Sequence, residues 1–173
     1  MPFTPYHFGP GLLVKGFAAR WYSWTAFVVA QIVIDCETLY YLLRQQYPLH
    51  RTLHTFMGAT IVGLATAATL IGSKWLAEKA MPRLFSESRF RQPSIRSEAT
   101  TLGLLVGGFV GGASHPLLDG IMHRDIRPFL PWSASNPLLG LISIETLEIG
   151  CEMAGLVGLV LLGIWLYNER RAA

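Results

Sequence analysis

Residues 99–122 read ATTLGLLVGGFVGGASHPLLDGIM, with no Asp, Glu, Lys or Arg before Asp119. A run this long and apolar is sufficient to cross a bilayer, for which roughly 20 residues are needed. Gly103, Gly107 and Gly111 recur at every fourth position, and His115 and Asp119 continue the spacing. Glycines four apart line one helical face and let neighbouring helices approach closely. That face then carries an imidazole and a carboxylate into the bundle. The plainer reading is a packing stripe that runs on into polar residues.

Three further stretches have the same character: Trp21–Leu43, His54–Lys74 and Ile149–Tyr167. Hydrophobic residues make up 51% of the 173-residue chain and charged residues 14%, against about a quarter charged in soluble domains. No ten-residue alternating pattern points to a β-barrel. The expected fold is an all-α integral membrane protein, one domain over 1–173, with four transmembrane helices and a short re-entrant N-terminal helix. The opening MPFTPYHFGPGLLVKG lacks the basic start, apolar core and cleavage site of a signal peptide. A net charge of +3 without a basic-aromatic patch argues against nucleic acid as a partner. Cys36 and Cys151 have no metal-ligand spacing and read as packing residues.

Basic residues set the expected orientation. Residues 77–98 contain Lys79, Arg83, Arg89, Arg91 and Arg96, which places that loop and the C-terminal NERRAA in the cytoplasm. Lys15 and Arg20 precede the first span and agree. The loops 44–53 and 123–148 then face the other side. Trp21, Tyr22 and Trp24 sit where an interfacial aromatic belt is expected.

Ionisable groups within a membrane are costly and usually functional. Here they sort to one end. Asp35 and Glu37 lie in the outer half of the first span, and His50 and His54 lead into the second. His115 and Asp119 lie in the outer half of the third, and Glu148 and Glu152 open the fourth. His7 joins them if residues 8–20 form a short helix that turns at Arg20–Trp21. His7 is 14 residues before Trp21 and Asp35 14 after it, so both lie about 21 Å above the turn. Such a half-helix is tolerated where protein buries it. A surface helix with a solvated His7 is the alternative.

All five histidines, at positions 7, 50, 54, 115 and 123, belong to these segments. Imidazole with carboxylate suits zinc, iron or manganese, and two ions can clamp the attacking and leaving oxygens of a phosphoester. A Gly-rich phosphate loop and a GxSxG elbow are both missing from the sequence. Ser114 beside His115 is chain adjacency, which does not make a nucleophile–base pair, so Ser/His hydrolysis is a poor second choice.

The stretches H7FGPG, I34DCE, H50RTLHT and S114HPLLDGIMHRDIRPFLPW, in that order, resemble the membrane-bound metal-dependent hydrolases described as LexA-regulated in enterobacteria. Glu37 stands where that family has a second aspartate. A fainter likeness joins His115, Asp119 and His123 to the zinc-dependent phospholipase C and P1 nuclease group, all-α enzymes holding three zinc ions. The later H-x-x-x-E of that group lacks its histidine here; Glu148 or Glu152 would have to serve. The resemblance implies a multi-pass protein of a bacterial inner membrane that hydrolyses its substrate with bound metal.

The expected activity is hydrolysis, by metal-activated water, of a phosphoester in a lipid or lipid-linked substrate near the outer leaflet. Two divalent ions, zinc first, are the expected cofactors. The expected metal residues are His7, Asp35, Glu37, His54, His115 and Asp119, with Glu37 open to an orienting role. His50, His123, Asp125, Glu148 and Glu152 are expected to be catalytic or to orient the ligands. Arg51, Arg124 and Arg127 are expected to grip phosphate, or to anchor to lipid head groups. A metal-ion or proton-coupled transporter is the alternative function, and a small adaptor with a structural metal a third.

Overall fold

The computed structural model describes residues 5–81 and 97–172. These residues form five α-helices and no strand: α1 (Phe8–Phe17), α2 (Trp24–Leu43), α3 (Phe56–Ala80), α4 (Thr101–Met122) and α5 (Ile144–Ala172). All but α1 are long and apolar enough to cross a membrane. Of the basic loop, Arg83, Arg89, Arg91 and Arg96 lie outside the described residues, while Lys79 ends α3.

The helix ends differ from the sequence expectation by the local chemistry of their caps. Helix α2 begins three residues late, because Ser23 accepts the Ala26 N–H and serves as its N-cap. Thr55 and Thr100 do the same for α3 and α4, accepting from Gly58 and Gly103. An N-cap of this kind stabilises a helix by about 1 kcal/mol. Helix α5 starts at Ile144 and not Ile149, with the Ser143 hydroxyl accepting the Thr146 N–H. It also runs five residues past Tyr167, since a polar sequence ends an apolar run without ending a helix.

Helix α4 is the centre of the bundle, packed between α2 and α3. A Cβ at Gly107 would fall on the Ser23 carbonyl oxygen, and one at Gly63 on that of Gly108. So α4 has two small-residue faces. Gly103 and Gly107 abut Ser97 and Ser23, and Gly111 faces Phe27 and Ala30, while Gly108 and Gly112 face Gly63 and Ala59 of α3. Helix α1 pairs chiefly with α5 and runs parallel to it: Gly9 meets Cys151 and Gly16 meets Gly158. Leu156, Leu159, Val160 and Ile164 of α5 are more than half exposed, the pattern of a surface whose solvent is hydrocarbon.

At the end of the bundle formed by Tyr22, Ser23 and Ser97, Lys15 is buried. Its Nζ donates to the Tyr22 carbonyl at 2.8 Å, to Ser97 Oγ at 2.9 Å and to Glu98 Oε1 at 2.6 Å. Glu98 in turn accepts the Ser23 hydroxyl and the Trp24 and Thr25 N–H groups. A carboxylate there satisfies first-turn donors of α2 and complements its dipole. Burial raises the Glu98 pKa, but the Lys15 ammonium and these N–H groups outweigh it and hold the carboxyl below its ordinary range. Lys15 was expected as a basic flank; its charge is instead neutralised inside the protein.

Candidate metal centre

Helix α2 presents Gln31, Asp35 and Thr38 on one buried face. Helix α4 presents His115 and Asp119 by the same i,i+4 rule. The chain between α2 and α3 folds back through a 3-10 turn, Thr52–His54, that buries His54. One ligand atom from each of Asp35, His54, His115 and Asp119 falls within 4.8 Å of the others, and all four residues are buried. His115 Nε2 lies 3.5 Å from Asp35 Oδ1 and 3.2 Å from Asp119 Oδ2. His54 Nε2 lies 3.9 Å and 3.7 Å from the same two oxygens.

His7 arrives from the start of α1. Its Nε2 is 2.8 Å from Asp119 Oδ1, and its ring stacks on that of His115 with centroids 4.7 Å apart. His123 Nε2 lies 3.9 Å from the same Oδ1. The two oxygens of Asp119 therefore face different imidazoles: Oδ1 faces His7 and His123, and Oδ2 faces His54 and His115.

The far sides of the rings decide the tautomers. His54 Nδ1 is 3.0 Å from Glu37 Oε2, and His50 Nδ1 is 2.9 Å from Asp125 Oδ1. An ionised carboxylate only accepts, so in both rings Nδ1 carries the hydrogen, and in the neutral imidazole Nε2 keeps its lone pair. His115 Nδ1 meets the Gln31 amide oxygen, whose Nε2 donates to Ser114 Oγ at 3.2 Å. Glu37 also accepts the Arg51 and Leu53 N–H groups, and Asp125 those of Leu49 and His50. Each carboxylate thus orients one imidazole and ties down the loop that carries it.

His7 Nδ1 and Nε2, His115 Nε2 and Asp119 Oδ1 are buried without a hydrogen bond; His7 and Asp119 approach closely but not along an N–H direction. A buried polar atom left unpaired costs about 1–3 kcal/mol. Among these atoms, His7 Nε2 faces Asp119 Oδ1, and His115 Nε2 faces Asp119 Oδ2 and Asp35 Oδ1, a set of imidazole nitrogens and carboxylate oxygens that a divalent cation satisfies. The residues therefore fit a metal ion. Thr38 Oγ1, 3.2 Å from His54 Nε2, completes the wall.

His50, His123 and Asp125 form a second, adjoining group. The His50 and His123 rings stack with centroids 4.5 Å apart, and His50 meets His54 edge to face at 4.7 Å. Burial lowers the pKa of both His50 and His123, though Asp125 and Asp119 oppose it. Burial raises that of Asp125, but the His50 imidazole and the two backbone N–H groups outweigh it and keep the carboxyl ionised.

Other expected residues lie apart. Glu148 is half-buried and Glu152 exposed on α5, and neither belongs to the two ligand groups. Arg51 donates from Nε to the Pro48 carbonyl and sets its guanidinium 3.7 Å above the Tyr41 ring. Arg127 donates to the Ala134 carbonyl at 2.7 Å, and Arg124 is exposed. Sequence reasoning missed Gln31. The signal was an amide four residues before Asp35 in an otherwise apolar span.

No curated protein and no solved structure matches the chain. A family model does, over residues 1–173, and its description is that of a domain of unknown function. With every residue covered, the chain belongs to the DUF4184 family.

Proposed function

We propose that the protein is a membrane-embedded, metal-dependent hydrolase of a phosphoester carried by a lipid or lipid-linked substrate. One observation carries the reading. Two histidines of the loop before α3 and one of α4 have Nδ1 tied to an oxygen acceptor, and the resulting cluster holds unpaired nitrogens and a carboxylate oxygen. Side chains that orient ligands from behind are the usual support of a metal site. The ordered motifs shared with membrane-bound metal-dependent hydrolases agree with it.

In this reading Asp35, His54, His115, Asp119 and His7 hold the metal, and Glu37, Asp125 and Gln31 position the imidazoles. Two ions are favoured, because the oxygens of Asp119 face separate imidazoles. Bound divalent ions, zinc first, supply Lewis acidity toward the phosphoryl oxygens and lower the pKa of a coordinated water. His123, 22% exposed in its side chain, stands at the rim, where a proton can pass between site and solvent. Arg124 and Arg127 stand on the loop after α4, where a guanidinium can hold phosphate by paired N–H groups. Helix α1 is taken as re-entrant and the site as opening to the outer leaflet of a bacterial inner membrane, with residues 77–98 cytoplasmic.

Transport fits less well. Between Gln31 and Ser114 at one level and Lys15 and Glu98 at the other, the buried residues described are chiefly apolar, Ala26, Phe27, Ala30, Ala67 and Leu104, with Thr66 a buried hydroxyl beside Ala67. An ion path needs polar groups through both halves.

The test is elemental analysis of purified protein, followed by assay on phosphatidic acid, polyprenyl phosphate and an aryl phosphate. About two zinc, iron or manganese ions per chain are expected, and Asp35→Ala or His115→Ala should remove at least one ion together with activity. Folded wild-type protein that is active without metal ends the proposal.

A further inference from the structure

We propose that a groove along the seam of α1 and α5 seats the hydrocarbon chain of the lipid whose phosphate reaches the histidine–aspartate cluster, an inference that rests on the hydrolase reading above. The groove has a volume of about 490 Å³. Tyr6, Phe8 and Leu12 form one wall, and Glu152, Leu156 and Leu159 the other.

Three features point to this occupant. The first is continuity with the site. Tyr6 and Phe8 flank His7, whose Nε2 lies 2.8 Å from Asp119 Oδ1. The groove's end at Tyr6 and Phe8 therefore lies at the level of the cluster, one residue along the chain from His7 on either side. The second is its surroundings. Leu156 and Leu159 are 58% and 53% exposed on a helix long and apolar enough to span a membrane, so the groove opens to acyl chains. The third is direction. Helices α1 and α5 run parallel, Gly9 beside Cys151 and Gly16 beside Gly158, and the seam descends from the site. From Cys151 to Leu159 it covers about 12 Å at 1.5 Å per residue.

Among the described residues lining the groove, Glu152 is the one acidic or basic side chain. It follows Cys151, whose carbonyl lies against Gly9, so it sits just below His7, at the junction of head group and chain. It offers an acceptor there for a hydroxyl of the lipid backbone. A carboxylate in a spanning helix is costly and calls for such a role. A chain that enters the groove leaves one hydrocarbon environment for another, so the seat adds little affinity. Its contribution is register: it sets the phosphate at the depth of Asp119.

The experiment uses full-length protein in nanodiscs and two photoreactive probes with the same diazirine-bearing chain, one a phosphatidic acid and one a diacylglycerol. Mass spectrometry of the crosslinks should place the phosphatidic acid on Leu12, Leu156 and Leu159, severalfold above the diacylglycerol, and unlabelled phosphatidic acid should compete. Equal labelling by both probes would mean annular lipid only and would overturn the proposal. Leu159→Trp fills the lower groove from an exposed position. By disturbing that register it should reduce hydrolysis of dipalmitoyl phosphatidic acid by about tenfold or more, since a misplacement of about 1 Å at the reacting centre can cost about 100-fold. Dihexanoyl phosphatidic acid and an aryl phosphate should be hydrolysed as by wild type. Equal loss on all three substrates would also overturn it. If wild-type protein hydrolyses no phosphate at all, the hydrolase reading fails, and the labelling contrast still decides whether the groove seats a phosphate-bearing lipid.

Discussion

Replacing Glu37 with Gln separates a ligand from a group that positions one. Glu37 accepts from Arg51 N at 3.0 Å, from Leu53 N at 3.0 Å and from His54 Nδ1 at 3.0 Å, with its side chain 9% exposed. Gln has nearly the same shape but only one accepting atom. All three N–H groups donate to Oε2, and the Leu53 N–H also reaches Oε1 at 3.1 Å, so a Gln that keeps its oxygen at the Oε2 position turns its NH2 group on the Leu53 N–H. Loss of a hydrogen bond to a buried charged group costs about 1.5–3 kcal/mol, which should appear as a lower unfolding midpoint of the metal-free protein. His54 Nδ1 would then face a neutral amide oxygen in place of a charged carboxylate, a weaker acceptor for its hydrogen. Changes of this kind weaken metal binding by about 10–100-fold, or about 1.4–2.7 kcal/mol. The assay is competition for zinc against a chelator of known affinity, with the metal count read at saturation. A positioning role predicts weaker binding and a full count. Loss of one ion at saturating zinc would make Glu37 a ligand. Unchanged affinity would refute the orienting argument altogether.

His7→Ala should abolish activity as completely as Asp35→Ala, although His7 lies near a terminus, where loss is usually tolerated; activity within a fewfold of wild type would remove it from the site. Proteoliposomes should show no metal flux, and gradient-driven flux abolished by Asp119→Asn would favour the transporter instead. Acid should loosen the α1–α2 turn. Glu98 has a folded pKa below its ordinary value of 4.5, so its stabilisation is complete above that value and is lost as pH falls through the depressed one. Glu98→Gln should flatten that part of the acid-unfolding curve, and an unchanged curve would count against the network.

The four spans are legible because a bilayer imposes composition and length together. Helix ends are not, since hydroxyls of Ser23, Thr55, Thr100 and Ser143 set where each helix starts. The pairing of His115 with Asp119 can be read from their spacing, and their depth brings in Asp35 and His54. Depth alone misleads for Glu148 and Glu152. The buried positions of α5 are Leu147, Cys151, Gly155 and Gly158. Each glutamate follows a buried residue by one position, which turns it by about 100° away from that face. These acids share the level of the cluster and not its azimuth. Gln31 shows the reverse. Its azimuth and depth match Asp35, but an amide lacks the charge that draws attention in a span.

The placement of His7 depends on contacts that no local pattern contains. Helix α1 is ten residues long, below the roughly 12–15 at which an isolated helix holds together. Its position must therefore come from tertiary contacts, along α5 and at both ends. At one end Lys15 reaches Ser97 and Glu98, more than eighty positions along the chain. Glu98 caps α2, so one carboxylate fixes α1, α2 and the start of α4 together. At the other end His7 stacks on His115 and faces Asp119, both on α4. Helix α4 thus carries the partners of one end and follows directly on those of the other, and its rigidity between them sets the distance α1 has to match. The close glycine contacts of α4 with α2 and α3 acquire a functional meaning from this. They hold still the frame against which a short, otherwise marginal helix delivers its histidine.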